Sequence, residues 1–336
     1  LAAGPVVCGE GYVFELERRG YLQAGAYVPT AVVEFPEAVQ GLHREMVRAG
    51  SDIVLALTYY AHSAQLRLAG ADYSSAELNR AALTLAAGVA AETGTLLAGD
   101  VCNTNVFADD AQARARVRAI FAEQVMLAAE AQAALIVGET FSFVGEALLA
   151  LEAIRQVGLP AVITFAAHQD GRTRDDCDIV DACCRLADAG AAVVGFNCSR
   201  GPATMRPLLE RLTKRCQTPI AALPVAYRTT PARPTFQTLT DLGCDCLPAE
   251  GVFPTALDPF TCNRYEIARF AREAVGAGVS YVGLCCGGAP HLLRSLSEAV
   301  GKTPAASAYS PDMRHHAYLG TSPLIDAGNA AHAQFM

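Results

Sequence analysis

Two short stretches carry the residues best suited to chemistry. "GLCCGG" (283–288) sets adjacent cysteines, Cys285 and Cys286, between glycines at the end of an apolar run, and "GFNC" (195–198) ends another apolar run in Cys198. Adjacent cysteines can be buried filler, a strained disulfide or two ligands of one metal. If the three thiols converge, they supply three sulfur ligands and leave a fourth position open, the arrangement of a catalytic zinc rather than of a closed structural one. Three sulfurs suit a borderline-soft ion and disfavour magnesium or calcium. The flanking glycines let the backbone bend so that consecutive side chains face one point, which an extended strand forbids. Core packing competes with this reading for any single cysteine, because free thiols are often buried. It is the better reading for Cys183-Cys184, which shares a helix face with Ile179, Val180 and Leu186. Cys244-Asp245-Cys246 imitates a ligand pair but lacks a third partner at a strand end, and nothing near His315-His316 completes a site.

Convergence of the thiols depends on the elements that carry them. Short apolar runs rich in β-branched residues recur, each followed by a longer Ala/Leu/Glu/Arg segment with helical spacing, the pattern of repeated βα units and a parallel sheet. The expected strands are Val6–Cys8, Ile53–Thr58, Thr95–Asp100, Ala134–Glu139, Ala161–Phe165, Ala192–Asn197, Ile220–Pro224 and Tyr281–Cys286. Eight such units predict an α/β fold of the (β/α)8, or TIM-barrel, type. Pro36-Glu37 opens a helix over Ala38–Ala49, Asp109-Asp110 one over Ala111–Ala133, and Asp175-Asp176 one over Cys177–Ala189. A last helix is expected over Asn263–Ala277. Active sites of such barrels sit at the C-terminal ends of the strands. Cys198 follows the sixth strand and Cys285-Cys286 ends the eighth, close enough around a barrel for their loops to meet. Arg228–Cys262, long and rich in Pro, Thr, Gly and Asp, breaks the rhythm, and long loops inside compact domains tend to be functional. The composition shifts only near residue 303, which predicts a single barrel over 1–302 and an Ala/Ser/Pro/His-rich extension over 303–336.

Composition narrows the partners. A net charge of −8 over 336 residues argues against nucleic acid and against an anionic membrane surface, since both select for basic patches, and leaves a small molecule as the expected ligand. No apolar run approaches the roughly 20 residues of a membrane span, and Leu1–Pro5 lack the features of a signal peptide. Twelve cysteines in a chain of this length do not resemble a small disulfide framework, so reduced thiols and a cytoplasmic location are expected.

Together with the two cysteine motifs, "GYVFELERRGY" (11–21), "HREMVRAGSDIV" (43–54) and "LTYYA" (57–61) resemble the zinc-dependent homocysteine S-methyltransferases, the betaine branch above all. The resemblance runs from Val6 to about Ala299. It implies that Cys198, Cys285 and Cys286 hold Zn2+ and that the homocysteine thiol takes the fourth position. It implies that Glu10 and Glu139 receive the homocysteine ammonium group, with Gly9, Gly11, Thr58 and Asn197 shaping the substrate site. It also implies that Tyr27, Tyr59 and Tyr60 bind a small onium methyl donor through cation–π attraction. Glycine betaine leads among donors. However, the chain has no Trp, so Tyr27 stands where the betaine enzyme has an indole, and Thr140 stands where it has a tyrosine. A sulfonium donor, dimethylsulfoniopropionate or S-methylmethionine, is therefore admitted, and a non-catalytic zinc or thiol sensor is the rival from another class. Tyr227 is expected near the pocket and Arg228 near a substrate carboxylate. Relatives in the betaine branch assemble through C-terminal extensions, which implies a homo-oligomer, with a dimer as the expectation.

Overall fold

Apolar runs covered on both faces suit a parallel sheet wrapped by helices. The computed structural model, which describes residues 4–240, 251–316 and 323–334, closes eight of them into one barrel. Cys244-Asp245-Cys246 lies outside the described residues. The strands are β1 (Val6–Gly9), β2 (Ile53–Leu55), β3 (Leu96–Cys102), β4 (Leu135–Phe141), β5 (Ala161–Ala166), β6 (Val193–Asn197), β7 (Ile220–Leu223) and β8 (Tyr281–Leu284). Neighbours pair in parallel in chain order, and β8 returns to β1 in register from Val6 opposite Tyr281 to Gly9 opposite Leu284. This seam continues past the strands, where the Glu10 N–H donates to the Leu284 carbonyl at 3.0 Å.

Strand ends differ from expectation where the site is built. β2 and β8 stop at Leu55 and Leu284, short of the expected Thr58 and Cys286. Beyond Leu284 the chain turns, closed by the Gly288 N–H donating to the Cys285 carbonyl at 2.9 Å, so the paired cysteines are released from strand alternation. β3 and β4 instead overrun their expected ends, β3 because it continues to pair with β4, Cys102 opposite Glu139, and β4 because it continues to pair with β5, Phe141 opposite Phe165.

The helices follow their start signals, with one exchange. Asp110 caps Ala111–Glu130 by accepting the Ala113 N–H, and Asn263 with Glu266 forms a capping box ahead of Arg264–Gly276. The helix expected over Cys177–Ala189 begins only at Ile179, because Asp178 is its cap. Asp175 serves another helix, Val144–Gln156, by accepting the N–H groups of Val144 and Gly145. Cys183 is buried with Ile179, Val180 and Leu186, as core packing predicts. Below the barrel, Asp52 accepts the Val7 N–H and pairs with Lys302, tying the chain beyond the last barrel helix, Pro290–Ala299, to β1.

One buried side chain makes stability pH-dependent. His43, on the helix Pro36–Arg48, is fully buried edge-on to the Tyr12 ring at 4.8 Å, and neither ring nitrogen has a hydrogen-bond partner. Burial lowers its pKa to about 3. Between that value and the ordinary one near 6.5 the unfolded chain binds a proton that the folded chain refuses. The contribution is therefore complete above pH 6.5 and falls by about 1.4 kcal/mol for each pH unit below it. Urea unfolding of wild type and His43→Phe at pH 7 and pH 5 should show the pH 5 deficit of the variant smaller by about 2 kcal/mol. An equal deficit would show that His43 is solvated.

Candidate active site

The three cysteines of the two motifs meet at the C-terminal mouth of the barrel. Cys198 follows β6 with φ at +56°, and Cys285 and Cys286 follow β8. The Cys198 and Cys286 sulfurs are 3.6 Å apart and those of Cys285 and Cys286 3.9 Å. All three cysteines are free, and these separations are far beyond the roughly 2.05 Å of a disulfide. They do match the edge of about 3.8 Å that a tetrahedron with zinc–sulfur bonds of about 2.3 Å requires. Cys285 and Cys286 thiols, donating to the Cys198 sulfur, lower the Cys198 pKa to about 5, whereas Cys285 and Cys286 are raised. Two glycines permit the approach. A Cβ on Gly11 would stand 2.5 Å from the Cys285 carbonyl oxygen, and one on Gly287, whose φ is +77°, would stand 2.7 Å from the Tyr227 ring.

A cavity of about 420 Å³ opens over these sulfurs, a size suited to small metabolites. Glu10, Asp100 and Glu139 line it, each buried. Burial raises all three carboxyls well above the carboxylate range, and mutual repulsion adds to it: Cys285 and Asp100 act on Glu10, Glu139 and Cys285 on Asp100, and Glu10 and Cys285 on Glu139. Acceptor atoms of Glu10, Glu139 and Cys285 lie within 4.8 Å of one another. Asn197 stands behind this group rather than in the cavity. Its Nδ2 donates to Glu139 Oε2 at 2.6 Å and to the Thr140 hydroxyl at 3.0 Å. Its Oδ1 accepts from the Thr140 N–H at 2.8 Å and the Thr164 hydroxyl at 2.9 Å.

Aromatic rings line the same cavity. Tyr27, Tyr59 and Tyr60 all line the cavity, with the Tyr59 and Tyr60 centroids 4.4 Å apart and the Tyr60 hydroxyl accepting from Asn103. Phe14 stacks on Tyr27 at 6.0 Å, and Phe236 and Phe253 reach in from the long loop after β7. Thr140 lines the cavity too, but its hydroxyl is occupied by Glu139. Backbone strain is concentrated here: Tyr27, Tyr60, Asn105, Thr140, Cys198 and Ser199 all have left-handed φ, costly for residues with side chains.

Several expected residues stand elsewhere. Gly9 and Thr58 do not line the cavity. Gly9 faces Leu293 and Met46, and the Thr58 hydroxyl donates to the Asp100 carbonyl at 2.7 Å. Arg228 is paired with Glu266 outside the cavity, and the arginine that lines it is Arg174, beside His168. Tyr227 packs on Phe236 behind the lining. Asp100, Arg174, Phe236 and Phe253 escaped the sequence reading, although Asp100 ended an expected strand and carried the same signal as Glu139. Among the described residues, the acidic, histidine and cysteine clusters that could hold a metal are the three cysteines and the overlapping Glu10, Glu139 and Cys285 set. His315-His316 contributes to neither.

Comparison with known proteins agrees with this geometry. The family model described as homocysteine S-methyltransferase matches residues 8–300. Betaine–homocysteine S-methyltransferase 1 of Xenopus tropicalis is 34% identical over 335 residues, 96% of this chain and 79% of that one. The Mus musculus protein of the same name is 33% identical over 97% of this chain and 81% of its own. An S-methylmethionine–homocysteine S-methyltransferase of Pongo abelii is 32% identical over 96% of this chain and 85% of its own. Among solved structures, the metallated form of the Escherichia coli homocysteine methyltransferase MmuM shares the fold with a TM-score of 0.67 at 19% identity, covering 87% of this chain and 95% of that one. A match across nearly the whole barrel, joined to a convergent cysteine triad, places this chain in the homocysteine S-methyltransferase family.

Proposed function

We propose that the protein transfers a methyl group from a small onium donor, glycine betaine in the first place, to the thiol of homocysteine, forming methionine, with Zn2+ held by Cys198, Cys285 and Cys286. The observation that carries this reading is the sulfur spacing of 3.6 and 3.9 Å at the floor of a cavity lined by carboxyls and aromatic rings. Such a donor set fits zinc in chemistry and in separation. When bound, the ion supplies the acidity that turns a coordinated thiol into a thiolate at neutral pH.

The remaining work falls to the protein's own groups. Glu10 and Glu139 receive the substrate ammonium, and Asn197 holds the Glu139 carboxylate in place. Tyr27, Tyr59, Tyr60, Phe14 and Phe236 exclude water and present aromatic faces to the donor cation. Arg174 offers a charge to the donor's carboxylate. A sulfur–carbon bond forms as the carbon–nitrogen bond of the donor breaks, and the amine leaves with the electron pair that neutralises it. Holding both reactants in one cavity converts the encounter into an intramolecular step. We assign this chemistry to residues 1–302 and treat 303–336 as an extension. We place this chemistry in the reducing, cytoplasmic setting that the cysteine usage predicts. No helix among the described residues is long and apolar enough to cross a membrane.

A sulfonium donor is the second reading, favoured by one relative named for S-methylmethionine and by a cage that has tyrosine in place of an indole. A metal or thiol sensor leaves the carboxyls and the aromatic wall without a use.

Two experiments test the proposal. Purified protein with homocysteine and, separately, glycine betaine, dimethylsulfoniopropionate or S-methylmethionine should form methionine fastest with betaine. Cys286→Ala should lose both bound zinc and turnover. Zinc binding without methionine from any donor would overturn the assignment. Tyr59→Leu should raise the KM for the donor by about 10- to 30-fold, the loss of a desolvated cation–π contact of about 2 kcal/mol, while the homocysteine KM stays within about twofold. A shift in the homocysteine KM alone would place Tyr59 at the wrong substrate.

A further inference from the structure

Asp100 has no role in the resemblance, yet it stands beside the two carboxylates assigned to the substrate ammonium. It lies on β3, 4% exposed, and lines the cavity. Its Oδ1 is buried without a hydrogen-bond partner, and so are both oxygens of Glu10. Glu139 differs, since its Oε2 already accepts from Asn197 and Thr140. A buried carboxyl group left without a partner is costly, and its persistence in a cavity points to a ligand that completes it.

The missing partner has a definable chemistry. An ammonium group presents three N–H donors, whereas a trimethylammonium or sulfonium centre presents none and is served by aromatic faces instead. Oxygens of Glu10, just after β1, and of Glu139, on β4, lie within 4.8 Å of each other and of the Cys285 sulfur, Asp100 on β3 lines the same cavity, and Cys285 acts electrostatically on all three. Three carbons separate the nitrogen of homocysteine from its sulfur, so an amine seated among these oxygens leaves the thiol beside the cysteine cluster. The Thr58 hydroxyl, bonded to the Asp100 carbonyl, keeps this strand end in place.

We propose that Asp100 is a third acceptor for the homocysteine ammonium and makes the site selective for thiols that carry an α-amino group. This rests on the homocysteine reading above. The test is calorimetric titration of the zinc-loaded protein, without methyl donor, with L-homocysteine and with 4-mercaptobutanoate, which lacks the amine. Asp100→Asn should weaken homocysteine binding by about 10-fold or more, the scale of a lost hydrogen bond to a charged group. It should leave 4-mercaptobutanoate within about twofold and zinc content unchanged. Equal weakening for both thiols, loss of zinc, or an unaltered homocysteine affinity would each overturn the proposal. Should Asp100→Asn fail to fold by circular dichroism, Asp100→Ser carries the same comparison. Wild type that binds neither thiol would sink the homocysteine reading itself, an outcome distinct from wild type that binds homocysteine while the variant is unaffected.

Discussion

The barrel mouth concentrates acidic groups out of reach of water, and the site is organised around that constraint. Three thiols, two carboxyls and, lining the same cavity, a third carboxyl, Asp100, gather here, and burial disfavours the ionised form of each carboxyl. Among the described residues lining the cavity, Arg174 is the single arginine, and no lysine joins it. Cations arriving from outside are what such a site can accommodate. A divalent metal suits the sulfurs, an ammonium the carboxyl oxygens and an onium the aromatic wall, so one electrostatic deficit is divided among ligands by the chemistry of the atoms each meets.

Keeping those groups apart yet convergent requires a rigid backing, and Asn197 provides it. Its amide bonds Glu139, Thr140 and Thr164, on the ends of β4 and β5, while its own backbone leads directly into Cys198. Thr140 and Cys198, the strained residues on either side of this network, are thereby held in backbone conformations that isolated side chains avoid. Arg200, just after β6, extends the support, with its guanidinium bonded to the carbonyls of Ala167, His168, Gln169 and Thr204 rather than to an acid.

What the sequence revealed follows from how local each signal is. The closed barrel was legible because eight apolar runs repeat with helical segments between them, and Cys198, Cys285 and Cys286 were legible because strand ends point to one face of such a barrel. Glu10 and Glu139 carried the same signal. Strand ends themselves were not legible: whether β3 continues past Asp100 depends on its pairing with β4. Phe236 and Phe253 come from a loop without periodicity and meet the cavity only through tertiary folding. Arg228 misled because nothing local announces that Glu266 will occupy it. The caps show the same limit, since Asp175 serves a helix that precedes it in the chain.

The seam between the first and last strands also governs when the site can exist. Two of the three sulfurs follow β8, and Glu10 is bonded to the carbonyl of Leu284 at the end of that strand. A chain folded only as far as β7 holds Cys198 without its companions and Glu10 without its anchor. Long-range closure of this kind is slow compared with local helix formation, and domains assemble from the N-terminus as they are synthesised. The three sulfurs come together only once β8 has closed the barrel, so a stalled or truncated chain lacks the set that could chelate an ion.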